Sequence, residues 1–594
     1  MLNNFLKYSY RQLIKKTGKI KIYLIFYFNG LITLTYCMKD IFIRPWFKLI
    51  WTCALLLLSV GHGGANEGLA QVSLRLSIYQ NSQKNTFLNK LYSSRNYNPI
   101  FVTQKNQGRV SALLRALEGS NYHGIPSELY GLQKLYGDIE KLKSESELGI
   151  LEIEFAKKFI LYVKHMKTGV LDPKVINMRL IERASLESDN QVPTQLDLKL
   201  KKVNLMEIFM KFLITNPFQH LASLQPKTDD YKALIREKIR LEKILLVGGW
   251  GELVNAEILK PGESGEEVTK LRNRLIRMGY LKKTYSPIYD SKLKLAIKKF
   301  QDAHGLQSDG IAGKITIAEI NIPPSERLKL IIASLERRRW LSKPYEGKYL
   351  VVNIPEFKLK IVNKGKTIYQ SRVVVGKSSP STFTPEFSNK LEFLVINPSW
   401  YVPKSIVIEE YLPDIREDIN ASSELFFTDN NGKFISRELI NFDKFSDEDF
   451  PYGMKQPPSI NNPLGQVKFM LPNRHNIYLH DSPSKELFLE EERAFSHGCV
   501  RVHEPFKLAY EILKDNIEDP DFVLKYLLKN TKEFKLTLKD DIPVHIVYLT
   551  AWSEGRGNVS YRKDIYGRDF EIYQSLENIK QTLVIEKLIE KSYF

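Results

Sequence analysis

The sequence predicts a multidomain α+β protein, with a helical N-terminal half, a small three-helix module, and a mainly-β domain carrying an inserted lid. Three observations carry that prediction. The chain has 594 residues, enough for about three or four domains. Its apolar positions recur at helical spacing up to about residue 340 and alternate from Lys348 onward. Its composition, 43% hydrophobic and 26% charged, is that of a globular chain and argues against a fibre or a disordered chain.

Residues 1–65 read as a leader rather than as part of the fold. Arg44 and Lys48 precede the apolar run Leu49 to Val60, and Gly63 and Ala65 offer a cleavage point before Asn66. The run is about 12 residues, short of the roughly 20 that span a bilayer. Ile22 to Cys37 is a second apolar stretch behind a basic segment, and Met38-Lys39 would make an ordinary signal-peptide start. Two readings follow: translation from Met38 with cleavage, or an uncleaved leader anchoring the chain in the inner membrane with its basic end in the cytoplasm. Either way the chain is expected to be exported, to the periplasm.

Without residues 1–65 the net charge falls from +19 to +11, and two of the three cysteines, Cys37 and Cys53, are lost. A basic exported protein suits an anionic membrane or wall polymer, and export argues against nucleic acid as a partner. The remaining Cys499 has no disulfide partner within the chain, which makes it a candidate reactive thiol.

Residues 66–250 are expected to form a helical scaffold, with helices over Val110 to Leu117, Ile150 to Met166 and Tyr231 to Leu246; the isolated His123, His165 and His220 carry no chemistry there. Residues 251–325 form a compact module. A helix bearing Val268, Leu271, Leu275 and Met278 closes at Gly279; Asp290 caps a second that ends at His304-Gly305; a third follows Gly313. The run Phe300-Gln301, His304-Gly305-Leu306, Asp309-Gly310, Gly313 and Thr316 resembles the signature of peptidoglycan-binding modules.

Residues 326–347, including Arg327 to Trp340, are expected to be a basic helical linker. The mainly-β domain is placed at 348–530: Phe357, Leu359 and Ile361 alternate with lysines, Val373 to Val375 runs into Gly376, and Glu392 to Ile396, Val467 to Met470 and Ile477 to Leu479 are further strands. Residues 404–455 break the pattern and read as a lid. Residues 531–594 are left as a C-terminal extension.

Four of the ten histidines, His475, His480, His497 and His503, fall within 29 residues of one another beside Cys499. Only a thiolate attacks, and a free thiol titrates near 8.5, so a cysteine nucleophile needs an imidazole to take or share its proton. Alternation along Ile477-Tyr478-Leu479-His480 puts Tyr478 and His480 on one strand face. Gly498 permits a tight turn before Cys499, and the amides of Gly498 and Cys499 are expected to face an oxyanion. Pro505 to Leu513 reads as a helix. A zinc site on His497, Cys499 and His503 is the competing chemistry, but no second cysteine or HExxH pair completes it. Phosphate-loop and dinucleotide motifs are absent.

The pattern from His480 through fifteen residues to Ser496-His497-Gly498-Cys499-Val500-Arg501 resembles the catalytic signature of L,D-transpeptidases. His480-Asp481-Ser482-Pro483, Arg493-Ala494-Phe495, Gln456-Pro457-Pro458 with Gly465, and Asn397-Pro398-Ser399-Trp400 are similar to the long Gram-negative members. That resemblance implies Cys499 as nucleophile and His480 as general base, held in its tautomer by a carbonyl at Asp481. It implies Ser496 and His497 as shaping residues, Arg501 as support for the loop or a substrate carboxylate, and Tyr478 and Asp481 as further support; His475 and His503 are incidental. It also implies acyl transfer from a tetrapeptide stem with loss of D-Ala to form 3→3 cross-links, without metal or organic cofactor. The expected partners are stem peptides, glycan and other wall-synthesis enzymes, and the expected setting is wall biogenesis and cell shape. The competing reading is a wall-binding scaffold with a vestigial site.

Overall fold

The computed structural model describes residues 64–186, 192–198, 202–341, 345–447, 449–555 and 558–592. The expected leader, apart from Gly64 and Ala65, lies outside the described residues. The chain divides into two compact units, one comprising residues up to Gly119, Ser127–Val163 and Asn204–Ala222, the other Ser120–Pro126, Lys164–Val203 and the chain from Ser223 on.

The first unit is helical. Helix Gln107–Glu118 buries Val110, Leu113, Leu114 and Leu117 on one side, and Phe159 packs on Phe209 with ring centroids 4.2 Å apart. The buried Glu152 accepts hydrogen bonds from the amides of Phe101 at 2.9 Å and Val102 at 3.0 Å and from the Tyr92 hydroxyl. Those bonds offset the cost of burying a carboxylate.

The helical scaffold expected over 66–250 does not follow this division. Residues 164–203 and 223–250 pack with the second unit, and strand β1 (Leu196–Asp197) adds to the large sheet beside Glu386 and Phe387. Helical periodicity marks a buried face but not the core it faces, so the sequence could not place that boundary.

In the second unit the three-helix module consists of α1 (Glu266–Met278), α2 (Ser291–His304) and α3 (Lys314–Asn321). Asp290 caps α2 by accepting from the Leu293 amide. Helix α4 (Pro324–Trp340) stands where a basic helical linker was expected, but it is packed into the core rather than bridging domains. Its Arg337, Arg338, Arg339 and Trp340 are all buried. Arg337 pairs with Glu386 at 2.9 Å and Asp569 at 2.5 Å, Arg338 with Asp230 at 2.7 Å, and Arg339 with Glu336. A run of arginines reads as solvated until carboxylates distant in sequence are brought to it.

The β-rich domain opens with the antiparallel strands β2 (Lys348–Asn353), β3 (Lys358–Asn363) and β4 (Lys366–Gly376), followed by β5 (Glu386–Ile396). Strands β6 (Trp400–Val402), β7 (Phe426–Thr428), β8 (Phe434–Ile435) and β9 (Gly453–Gln456) form a separate four-stranded sheet in the order β6-β9-β7-β8. This lid has its own core, including Trp400, Leu412, Phe427, Phe450 and Met454, against which Tyr478 packs. The main sheet resumes with β10 (Val467–Met470), β11 (Leu479–His480), β12 (Ala494–Ser496) and β13 (Val500–Val502), and helices α5 (Pro505–Leu513) and α6 (Pro520–Lys529) follow.

Strand β14 (Phe534–Val547) corrects the assignment of 531–594 to an extension. It pairs with β5 along one edge and with β2 along the other, so the circuit β5-β10-β11-β13-β4-β3-β2-β14 closes on itself. Closure satisfies the edges that β2 and β5 would otherwise expose. Leu350, Leu359, Val373, Leu394, Phe469, Leu479, Val500 and Val544 belong to the core that this sheet shares with residues of α5 and α6. Beyond β14, helix α7 (Arg568–Ser592) packs Ile572 and Leu576 with Trp340.

Candidate active site

Strands β11 and β13 are parallel neighbours with Leu479 opposite Val500 and His480 opposite Arg501. Leu479 and Val500 point into the core. By alternation, Tyr478, His480 and Arg501 point the other way, toward the lid side. One rung back, the Val500 amide donates to the Tyr478 carbonyl at 3.1 Å, which sets Cys499 beside Tyr478.

The turn that presents Cys499 is built by the residues before it. Ser496 Oγ donates to the Cys499 carbonyl at 2.5 Å and accepts from the Gly498 amide at 3.1 Å. Gly498 holds φ 112°, a left-handed conformation that a side chain would strain, and its carbonyl accepts from Thr384 Oγ1 at 2.8 Å. This corrects the expected oxyanion pair: the Gly498 amide is committed to Ser496. The Cys499 amide makes no hydrogen bond among the described residues.

Cys499 is half-buried. Its thiol donates to the Asn476 carbonyl at 3.7 Å, and the Tyr478 hydroxyl is close enough to act on it. Burial pushes the thiol up from its ordinary range, while the Tyr478 contacts and the charges of Lys468 and Arg501 oppose that shift. Burial, with a contribution from the thiol, also raises the Tyr478 phenol.

His480 is buried, and burial followed by the nearby Arg501 charge pulls its pKa down to about 3. The imidazole is therefore neutral through the physiological range. His480 Nδ1 is buried without a hydrogen-bond partner among the described residues, while the backbones of Asp481 and Leu464 act against the downward shift. Nor does a hydrogen bond join Cys499 to His480 among the described residues. The register gives the reason: Cys499 shares its rung with Tyr478, and His480 shares the next with Arg501.

Asp481 works on the backbone around the site. Its carboxylate accepts from the Gln466 and Ser482 amides at 3.0 and 2.7 Å and from Lys485 at 2.6 Å. Gly465 makes room for it, since a Cβ there would lie 2.3 Å from Asp481 Oδ2. His497 Nε2 meets Glu410 Oε1 of the lid at 2.7 Å. Arg501 has Glu410 and Glu486 in its surroundings, yet its Nε is buried without a partner. The two incidental histidines face elsewhere: His475 bonds Asp197 at 3.0 Å, and His503 packs on Phe488 with centroids 5.1 Å apart.

Two residues escaped the sequence reading. Lys468 on β10 is the cross-strand partner of His480, and its Nζ lies 3.7 Å from the Tyr478 ring centroid. Alternation through Val467-Lys468-Phe469 puts Lys468 off the core, but only strand pairing brings it to the site. Glu410 has no local signal at all.

The comparisons with known proteins follow this geometry. Residues 347–544 match the model of the L,D-transpeptidase catalytic domain, residues 86–237 that of the scaffold domain, and residues 264–320 that described as "Putative peptidoglycan binding domain". A Haemophilus influenzae protein named "Putative L,D-transpeptidase" is 36% identical over 225 residues, 38% of this chain and 45% of that protein. The match thus spans about half the length of that relative. Two solved structures are similar at lower levels. The L,D-transpeptidase from Xylanimonas cellulosilytica is 14% identical, covering 50% of this chain and 100% of its own, with a TM-score of 0.16. That from Stackebrandtia nassauensis is 16% identical, covering 50% of this chain and 97% of its own, with a TM-score of 0.20. On the family matches, this chain carries an L,D-transpeptidase catalytic domain together with a scaffold domain and a peptidoglycan-binding domain.

Proposed function

We propose that the protein is a peptidoglycan L,D-transpeptidase working by cysteine acyl transfer, exported to the periplasm, where it forms 3→3 cross-links in wall biogenesis. The observation that carries this reading is the half-buried Cys499 thiol on a turn built by Ser496 and Gly498, one rung from a neutral imidazole on the same sheet face.

In the first step Cys499 Sγ bonds to the carbonyl carbon at the L-centre of diaminopimelate in a tetrapeptide stem. The bond from that carbon to the nitrogen of terminal D-Ala breaks. The thiol proton passes to neutral His480 and from it to the departing amine, so no net charge is gained. In the structure the thiol faces the Asn476 carbonyl and the Tyr478 hydroxyl, so donor binding has to turn it toward the His480 rung. The Cys499 amide and the Tyr478 hydroxyl are the donors best placed for the oxyanion, with the Gly498 amide spent on Ser496. Arg501, with a buried unpaired Nε, suits a stem carboxylate. In the second step the side-chain amine of another diaminopimelate attacks the thioester and frees the thiol; water, a free D-amino acid or a protein lysine are alternative acceptors.

Cys499→Ala tests the reading on purified muropeptides. Cross-linking should fall by about 10⁴-fold or more; undiminished product in this variant would leave the wall-binding scaffold as the function.

A further inference from the structure

Several ionisable groups around the site are accounted for. Glu410 from the lid is taken by His497, Glu533 accepts from the Ser399 amide at 2.6 Å, and His480 is neutral. Glu486 is among the charges acting on Arg501. Two cations that act on the thiol have no ion-pair partner among the described residues, Arg501 on β13 and Lys468 on β10. Lys468 also lies against the residue that stands beside the sulfur: its Nζ is 3.7 Å from the centroid of the Tyr478 ring, and Tyr478 neighbours Cys499 across the ladder, with its hydroxyl near enough to act on the thiol.

We propose that Lys468 is a positioning residue that sets the acidity of the Cys499 thiol through Tyr478. A cation over the face of a phenol is held by the ring's negative face and draws charge from the hydroxyl. The polarised O–H then becomes a stronger donor to sulfur as sulfur gains negative charge, and hydrogen bonds in series strengthen one another at low dielectric. The partly buried ammonium, lowered by desolvation and supported by the sulfur's own charge, fits that role. The arrangement answers a difficulty of this site, where an imidazole with a pKa of about 3 is too weak a base to hold a thiolate at rest.

The inference rests on Cys499 being the nucleophile, but its test reads the thiol rather than turnover. The full-length chain is alkylated with iodoacetamide across pH, and the peptide bearing Cys499 is followed by mass spectrometry so that Cys37 and Cys53 do not count. Lys468→Met should raise the midpoint of the profile by about one pH unit, and Lys468→Arg should return it most of the way. Lys468→Gln serves in place of the methionine variant if that one loses its unfolding transition. In a Tyr478→Phe background the Lys468→Met shift should shrink to less than half. An unmoved midpoint, or an equal shift with and without the Tyr478 hydroxyl, overturns the proposal. Neither result depends on whether muropeptides are cross-linked, so failure here is distinguishable from failure of the transpeptidase reading.

Discussion

On α4, Arg337 lies between Glu386 and Asp569 and Arg338 meets Asp230, all on buried or nearly buried side chains. At the candidate site, Lys468 and Arg501 are partly buried too, yet neither has a carboxylate in ion-pair contact among the described residues. Burial of a charge is expensive, and the core arrangement offsets it with permanent partners. The site leaves it unbalanced, beside a weak acid, the Cys499 thiol, and on the proposed function open to a substrate carboxylate. A cation buried without a carboxylate therefore marks the site more sharply than a basic run does, and α4 shows how far a basic run can mislead.

Three substitutions sharpen or break that contrast. Glu386→Gln strips a carboxylate from both Arg337 and Arg568 and should cost about 3–5 kcal/mol, read as a lower urea midpoint for tryptophan fluorescence. A midpoint unchanged from wild type would mean the core network is dispensable. Arg501→Gln should leave that midpoint in place and raise KM for a tetrapeptide donor by about tenfold to hundredfold, the loss of one charge-assisted bond. Lost stability with an unaltered KM would return Arg501 to a structural role. Glu410→Gln removes the half-exposed contact from the lid to His497; at about 0.5 kcal/mol it should speed hydrogen exchange in the 496–499 turn only about twofold. A change of an order of magnitude would make that contact the principal hold on the lid.

Much of the architecture was legible because it is written in short periods. Helix α1 closes at Gly279, α2 begins after Asp290, α5 covers Pro505–Leu513, and β10 covers Val467–Met470, each from spacing and caps within a few residues. The reading failed where a segment's partner is far away in the chain. Phe534–Val547 has the alternation of a strand, but closing the sheet against β2 and β5 depends on residues some 150 to 200 positions earlier. The oxyanion expectation failed for a different reason: glycine's freedom was read correctly, but the Ser496 hydroxyl that takes its amide depends on the folded turn.

The sequence alone determined the chemistry on offer: one cysteine beyond residue 65, a histidine nineteen positions before it, a glycine to turn on, and a two-residue alternation placing Tyr478 and His480 on a common face. These follow from covalent geometry and composition. Only the tertiary structure decided which side chain stands next to the sulfur, because ladder register is a non-local choice made by the packing of Leu479 and Val500 into the core. That choice puts Tyr478 beside the thiol, sets His480 one rung on, and brings Lys468 from a third strand to the Tyr478 ring.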